Sequence, residues 1–202
     1  VDIKSILRKL NTIHYHSTYR GIPMLKNPVD LLAYRHILDT YNPKSVVEVG
    51  TFAGGFALWL SDYLPGATIY SFDLENNRDK SLRNQKQNNI NFLTTDILLY
   101  DLSRLHHPVL FIDDASHFYE LTKKLILYFD MLGAKDDLMV IEDGSIIEAM
   151  EESQKYNGGP SRAIQEVLIS GEAGKKWQKI NYVNTVTQGL SFNQDGWWVK
   201  VT

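Results

Sequence analysis

Each of the short apolar runs in the middle of this chain ends in an acid. Val46-Val47-Glu48-Val49 opens into a glycine-rich turn, Gly50-Thr51-Phe52-Ala53-Gly54-Gly55. Thr68 to Phe72 ends in Asp73, Asn91 to Thr95 in Asp96, Pro108 to Ile112 in Asp113-Asp114, and Leu138 to Ile141 in Glu142-Asp143. Short continuous apolar runs suit strands buried on both faces of a parallel sheet. Open α/β sheets bind ligands beyond the carboxyl ends of their strands, so these acids are expected along one rim. Like charges gathered there repel one another, and a positive group is expected among them.

The glycine spacing narrows the ligand. A dinucleotide turn reads G-x-G-x-x-G, with its second glycine letting the backbone approach a pyrophosphate. The turn here is Glu48-x-Gly50-x-x-x-Gly54-Gly55 and lacks that second glycine. It resembles the first motif of the class I S-adenosylmethionine (SAM) methyltransferases, which implies that Glu48, Gly50, Thr51, Gly54 and Gly55 lie under the ligand's aminocarboxypropyl chain and ribose. Asp73 lies 18 residues past Gly55, where a carboxylate can accept both ribose hydroxyls. Glu75 competes for that role. Asp96 is placed to accept from an adenine amino group. Each of these acids alone could equally cap a helix.

In the sheet order of that fold the fourth and fifth strands are neighbours, which brings Asp114, Glu142 and Asp143 together. Three carboxylates on adjacent tips suit magnesium, calcium or manganese better than zinc. In Asp114-Ala115-Ser116-His117 an imidazole follows three residues after a candidate ligand. Neutral His117 could take the proton of an attacking hydroxyl, or could cap the helix that follows. His14 and His16 lie in a polar, aromatic segment and could face a substrate. His106-His107 reads as a surface loop.

The elements that must position these groups alternate regularly. Ile3, Ile6, Leu7 and Leu10 have helical spacing. Pro28 starts a helix with Leu31, Leu32, Tyr34, Ile37 and Leu38 on its apolar face. Helices are also expected from Phe56, over 118–132 with a Gly133 stop, and over 161–169 after Gly158-Gly159-Pro160. Segments 180–187 and 197–201 are read as a terminal antiparallel hairpin. The expected fold is α/β, Rossmann-like and doubly wound, with a mostly parallel seven-stranded sheet. One domain spans 1–202, with residues 1–40 as a helical cap carrying a lid over the acceptor at 14–27, and 41–202 as the core.

The 202 residues are 44% hydrophobic and 22% charged, with net charge −3. That balance gives no footprint for nucleic acid. No cysteine is present, which excludes disulfides, thiolate metal sites and cysteine nucleophiles. No apolar run approaches the ~18 residues of a membrane span. A cytoplasmic protein with a small-molecule partner is expected, and a homo-oligomer is compatible.

Several segments together resemble the cephalosporin hydroxylase family, from about residue 19 onward. They are Tyr19-Arg20-Gly21-Ile22-Pro23, Lys26-Asn27-Pro28-Val29-Asp30, Val47-Glu48-Val49-Gly50-Thr51 with Gly54-Gly55, Asp113-Asp114-Ala115-Ser116-His117, Ile141-Glu142-Asp143 and Gly158-Gly159-Pro160. Despite its name the family has the SAM methyltransferase fold and is similar to metal-dependent macrolide-sugar and rhamnosyl O-methyltransferases. The resemblance implies SAM-dependent methyl transfer to a hydroxyl, on a sugar or a polyketide, with a bound Mg2+ or Mn2+. It assigns Asp114, Glu142 and Asp143 to the metal and His117 to the base. The doubled Asp113-Asp114 leaves two registers, with either acid as the metal ligand. Asp114 keeps the acid-x-x-His spacing, and Asp113 is left to the cofactor. The alternatives are an oxidoreductase component and a non-catalytic SAM-binding protein.

Overall fold

The structure, a computed structural model, describes residues 2–84 and 89–202. The chain enters through α1 (Ile3–His14), a small hairpin of β1 (Thr18–Tyr19) and β2 (Ile22–Pro23), and α2 (Pro28–Tyr41). Asn27 caps α2 by accepting from the Val29 N–H at 3.0 Å, with Pro28 in the first turn where its missing N–H costs nothing. The core then alternates β3 (Ser45–Val49), α3 (Gly55–Tyr63), β4 (Thr68–Asp73), β5 (Ile90–Thr94), β6 (Val109–Asp113), α4 (Tyr119–Leu132) and β7 (Leu138–Ile141). It closes with α5 (Gly144–Ala149), α6 (Gly159–Ile164), β8 (Trp177–Lys179), α7 (Tyr182–Thr187) and β9 (Trp197–Lys200).

The seven-stranded sheet runs β5-β4-β3-β6-β7-β9-β8. Its first five strands are parallel, while β9 pairs antiparallel with both β7 and β8. Every residue of β3, β6 and β7 is buried, which is why these strands read as unbroken apolar runs rather than alternating ones. Alternate side chains still serve opposite layers. Val47, Phe111 and Met139 pack with Leu125, Ile126 and Phe129 of α4, and Val46, Leu110 and Val140 pack with Tyr34 and Ile37 of α2 and Leu60 of α3. The order reverses between β3 and β6, so the tips of these two central strands flank the crevice where such folds bind ligands.

The fold class is as expected, but the hairpin needs correction. Its first strand is 177–179, and most of the expected strand 180–187 is helix α7. The β-branched run Val183-Asn184-Thr185-Val186-Thr187 suggests a strand. Burial decides otherwise: Val183 and Thr187, four residues apart, are the buried positions, and Thr187 Oγ1 donates to the Val183 carbonyl at 2.8 Å. The helix expected over 161–169 begins at Gly159 and changes to wider, π-type winding over 165–169. Among the described residues no helix is long and apolar enough to cross a membrane.

Candidate active site

A cavity of about 680 Å³ opens at the carboxyl ends of the parallel strands. Glu48, Gly50, Thr51, Asp73, Asp96, Asp114, His117 and Asp143 all line it. Its outer wall includes Asn11, His14 and Tyr15 from the N-terminal segment, Ile146 and Ile147 of α5, and Met150 and Tyr156 just beyond.

The glycine turn is built by close approach. Gly50 has φ +109°, and a Cβ there would lie 2.0 Å from the Asp114 carbonyl oxygen. Gly54 adopts φ +89° as the N-cap of α3, and a Cβ on Gly55 would meet the Pro23 carbonyl oxygen at 2.4 Å. These glycines let the β3 tip touch the β6 tip and the N-terminal hairpin. Beneath the turn, Glu48 is buried and accepts from Ser71 Oγ, which shares a 2.7 Å hydrogen bond with Thr51 Oγ1. Burial pushes Glu48 up to about 7, against the hydrogen bond from Ser71.

Asp73 and Asp96 both combine a local capping bond with a place on the cavity wall. Asp73 accepts from the Phe52 N–H at 2.9 Å and from the Glu75 N–H at 3.3 Å. Asp96 accepts from the Leu98 N–H at 2.9 Å and caps the short 3₁₀ turn 97–99. A carboxylate has roughly four acceptor positions, so these bonds leave capacity for a ligand. Asp113 is different. It is 4% exposed, does not line the cavity, and turns one oxygen to the Ala115 N–H at 3.3 Å. Burial raises it to about 6.

The expected positive group among the strand-tip acids is Lys26, whose role the sequence did not disclose. Its ammonium is 2% exposed and lies 2.5 Å from Asp114 Oδ2 and 2.6 Å from Glu142 Oε2. It also sits 4.4 Å from the centre of the Phe56 ring. Burial opposes the lysine's charge, but Asp114 and Glu142 outweigh it and raise its pKa. Glu142 additionally accepts from Tyr34 Oη and does not line the cavity. Burial, with Glu142 and Asp143 nearby, raises Asp114, and the Lys26 ammonium is the group opposing them.

Sequence spacing grouped Asp114 with Glu142 and Asp143. In the structure, donor atoms of Asp114, His117 and Asp143 lie within 4.8 Å of one another, facing the cavity. His117 Nε2 is 3.4 Å from Asp143 Oδ2, and its ring stands edge-on to Tyr156. Both His117 (φ 61°) and Asp143 (φ 64°) hold left-handed backbone, a strained state that the surrounding structure must enforce. The Asp143 N–H donates to Asn193 Oδ1 at 2.8 Å, which helps to fix that tip. Two carboxylates and an imidazole are an acceptable donor set for a divalent cation. Glu142, held by Lys26 and Tyr34, does not join them in this structure.

His14 lines the cavity, whereas His16 does not. Burial lowers the His14 pKa and so favours the neutral imidazole, against the nearby Asp143 carboxylate. The ring is wedged between Tyr15 and Phe192, at 5.2 and 5.7 Å between centroids. His107 is bound to Asp137 at 2.8 Å, at the opposite ends of β6 and β7 from the cavity.

No curated protein sequence matches this chain. Among solved structures, CmcI in an Mg–SAM form aligns with a TM-score of 0.66 and 20% identity, covering 93% of this chain and 78% of that one. CmcI with SAH (S-adenosylhomocysteine) gives 0.64 and 22%, covering 92% and 83%. The plantazolicin methyltransferase BpumL with SAH gives 0.59 and 13%, covering 99% and 95%. At these identities the likeness is one of fold. The family described as rhamnosyl O-methyltransferase/CmcI matches residues 11–201, nearly the whole chain. With the strand order and the glycine turn in agreement, the chain belongs to the rhamnosyl O-methyltransferase/CmcI family and is a SAM-dependent methyltransferase.

Proposed function

We propose that this chain transfers the methyl group of SAM to a hydroxyl of a small molecule, a natural-product or sugar alcohol, with a divalent cation assisting. One observation carries the reading: a single cavity joins the glycine turn and Asp73 to the Asp114–His117–Asp143 group. SAM supplies an electrophilic methyl on a sulfonium, a good leaving group. Asp73 would accept the ribose hydroxyls and Asp96 the adenine amine, and the acidic walls favour the sulfonium's positive charge.

His117 would take the acceptor's hydroxyl proton at Nε2, with Asp143 opposite stabilising the imidazolium that results. The hydroxyl oxygen forms a bond to the methyl carbon as the carbon–sulfur bond breaks, and that electron pair stays on sulfur. Asp114 and Asp143 would hold a magnesium or manganese ion, which lowers the pKa of a coordinated hydroxyl. Lys26 is a positioning residue, because it fixes Asp114 from below. Residues 1–40 act as the cap, and the outer wall they form with α5 limits water at the reacting atoms.

Calorimetry with SAH tests the cofactor half. Turnover of SAM to SAH with a hydroxyl acceptor, lost in EDTA and restored by magnesium, tests the remainder. Binding of NAD in place of SAH would overturn the assignment, and SAH binding without transfer to any acceptor would favour a non-catalytic SAM-binding protein.

A further inference from the structure

The cavity has an uneven lining. Glu48, Asp73, Asp96, Asp114, Asp143 and Glu152 line it, and no lysine or arginine among the described residues does. The nearest ammonium, Lys26, lies beneath the floor and is already shared between Asp114 and Glu142. An anion entering next to these acids would meet repulsion with no fixed cation to pair with. A bound divalent cation and a sulfonium together would still leave the walls net negative.

The side formed by the N-terminal segment and α5 sets apolar side chains beside Asn11, His14 and Glu152. Tyr15 lines it just after α1, Ile146 and Ile147 from α5, and Met150 and Tyr156 from the segment after α5. Tyr15 is 64% exposed and Met150 39%, so both stand in solvent at the mouth, where an apolar ligand would cover them. His117 and its partner Asp143 sit at the inner end of this wall, next to Tyr156.

We propose that the methyl acceptor is an uncharged hydroxyl compound with an apolar body, seated between the N-terminal segment and α5 with its hydroxyl toward His117. Acceptors carrying a carboxylate, a phosphate or a nucleotide are rejected by charge. Bare sugars lack an apolar body to cover Tyr15, Ile146, Ile147, Met150 and Tyr156. The inference rests on the methyl-transfer reading for the direction of the hydroxyl. Its charge and polarity selection rest on the lining alone.

The test uses the full chain saturated with SAH and three probes: 2-naphthol, its carboxylated counterpart 6-hydroxy-2-naphthoate, and methyl α-L-rhamnoside. Affinities are measured by fluorescence or calorimetry, in EDTA and again in magnesium. We expect 2-naphthol to bind at least tenfold more tightly than either of the others in both conditions. Met150→Lys, a half-exposed position, should narrow the gap to the naphthoate severalfold. Equal or tighter binding of the naphthoate or the rhamnoside, or no binding of 2-naphthol, overturns the inference. Failure of SAH itself to bind overturns the methyl-transfer reading instead, and the same titrations without SAH still decide the acceptor's class.

Discussion

The ammonium of Lys26 lies 2.6 Å from the carboxylate of Glu142, and both side chains are at most 4% exposed. Neither charge could be held there alone. Removing one partner of a buried pair leaves the other uncompensated, which costs about 3–5 kcal/mol. Lys26→Met should therefore destabilise the protein by about that amount in urea unfolding. Adding Glu142→Gln to it should recover part of the loss. A single Lys26→Met variant with wild-type stability would show that water reaches these carboxylates.

The same pair separates two roles for the acids at the β7 tip. Asp143 faces the cavity, whereas Glu142 is bound from below by Lys26 and Tyr34. Asp143→Asn should weaken magnesium binding, followed by calorimetry, more than Glu142→Gln does. A larger effect at Glu142 would mean that Lys26 gives up that carboxylate when a cation arrives, restoring the three-carboxylate set expected from the sequence.

His117→Ala should lower kcat by about 10²–10⁴-fold, the scale of a positioned general base, with little change in SAH affinity. If kcat falls and magnesium affinity falls with it, His117 is a ligand rather than the base. His14 on the facing wall is then the residue to examine.

Asp73→Ala should weaken SAH binding by about 1.5–3 kcal/mol, the range for hydrogen bonds to a charged group. The loss of its bond to the Phe52 N–H will also loosen the turn, so Asp73→Asn provides the comparison. Affinity unchanged in both variants would remove Asp73 from the ribose.

Glu48 sets a pH dependence of stability. Its folded pKa, about 7, lies above the ordinary 4.5 because burial disfavours the carboxylate. Between these values the folded state holds the proton more tightly than the unfolded state does. The group's contribution is full below about 4.5 and is lost as pH rises through about 7. Chemical denaturation across this window should show stability falling with pH, and Glu48→Gln should flatten that part of the curve. An unchanged slope would place the titration elsewhere, with buried Asp30, also raised to about 7, as the first candidate.

The sheet was readable because burial on both faces leaves a blunt mark in β3, β6 and β7, namely apolar runs ended by acids. The final hairpin was less so. In 177–187 composition and burial disagree, and only packing against α2 shows that Val183 and Thr187 share a helical face. Within the site, Glu48, Asp73, Asp96, Asp114 and Asp143 were legible from their strand-end positions, whereas Glu152, in the segment after α5, was not. Glu142 and Asp113 show the limit: adjacent residues at a strand tip point to opposite sides, so Asp143 and Asp114 face the cavity while Glu142 and Asp113 face the interior. Lys26 gave no local signal, because nothing in Met24-Leu25-Lys26 distinguishes a buried ammonium from a solvated one. Only the surplus of acids asked for it.

The contact between Gly50 and the Asp114 carbonyl has an evolutionary consequence. Position 50 has no room for any side-chain atom, so every drift there must move the cofactor turn and the chemical tip at once. Phe52, two residues on and 45% exposed, has room for a side chain, although its left-handed backbone (φ 47°) favours Gly, Asn and Asp. A library randomised at both positions should return glycine alone at 50 and, at 52, side chains as well as glycine, enriched in Asn and Asp. The acceptor wall on α1 and α5 is anchored by neither. Descendants of this chain can therefore change what they methylate without disturbing how they hold the methyl donor.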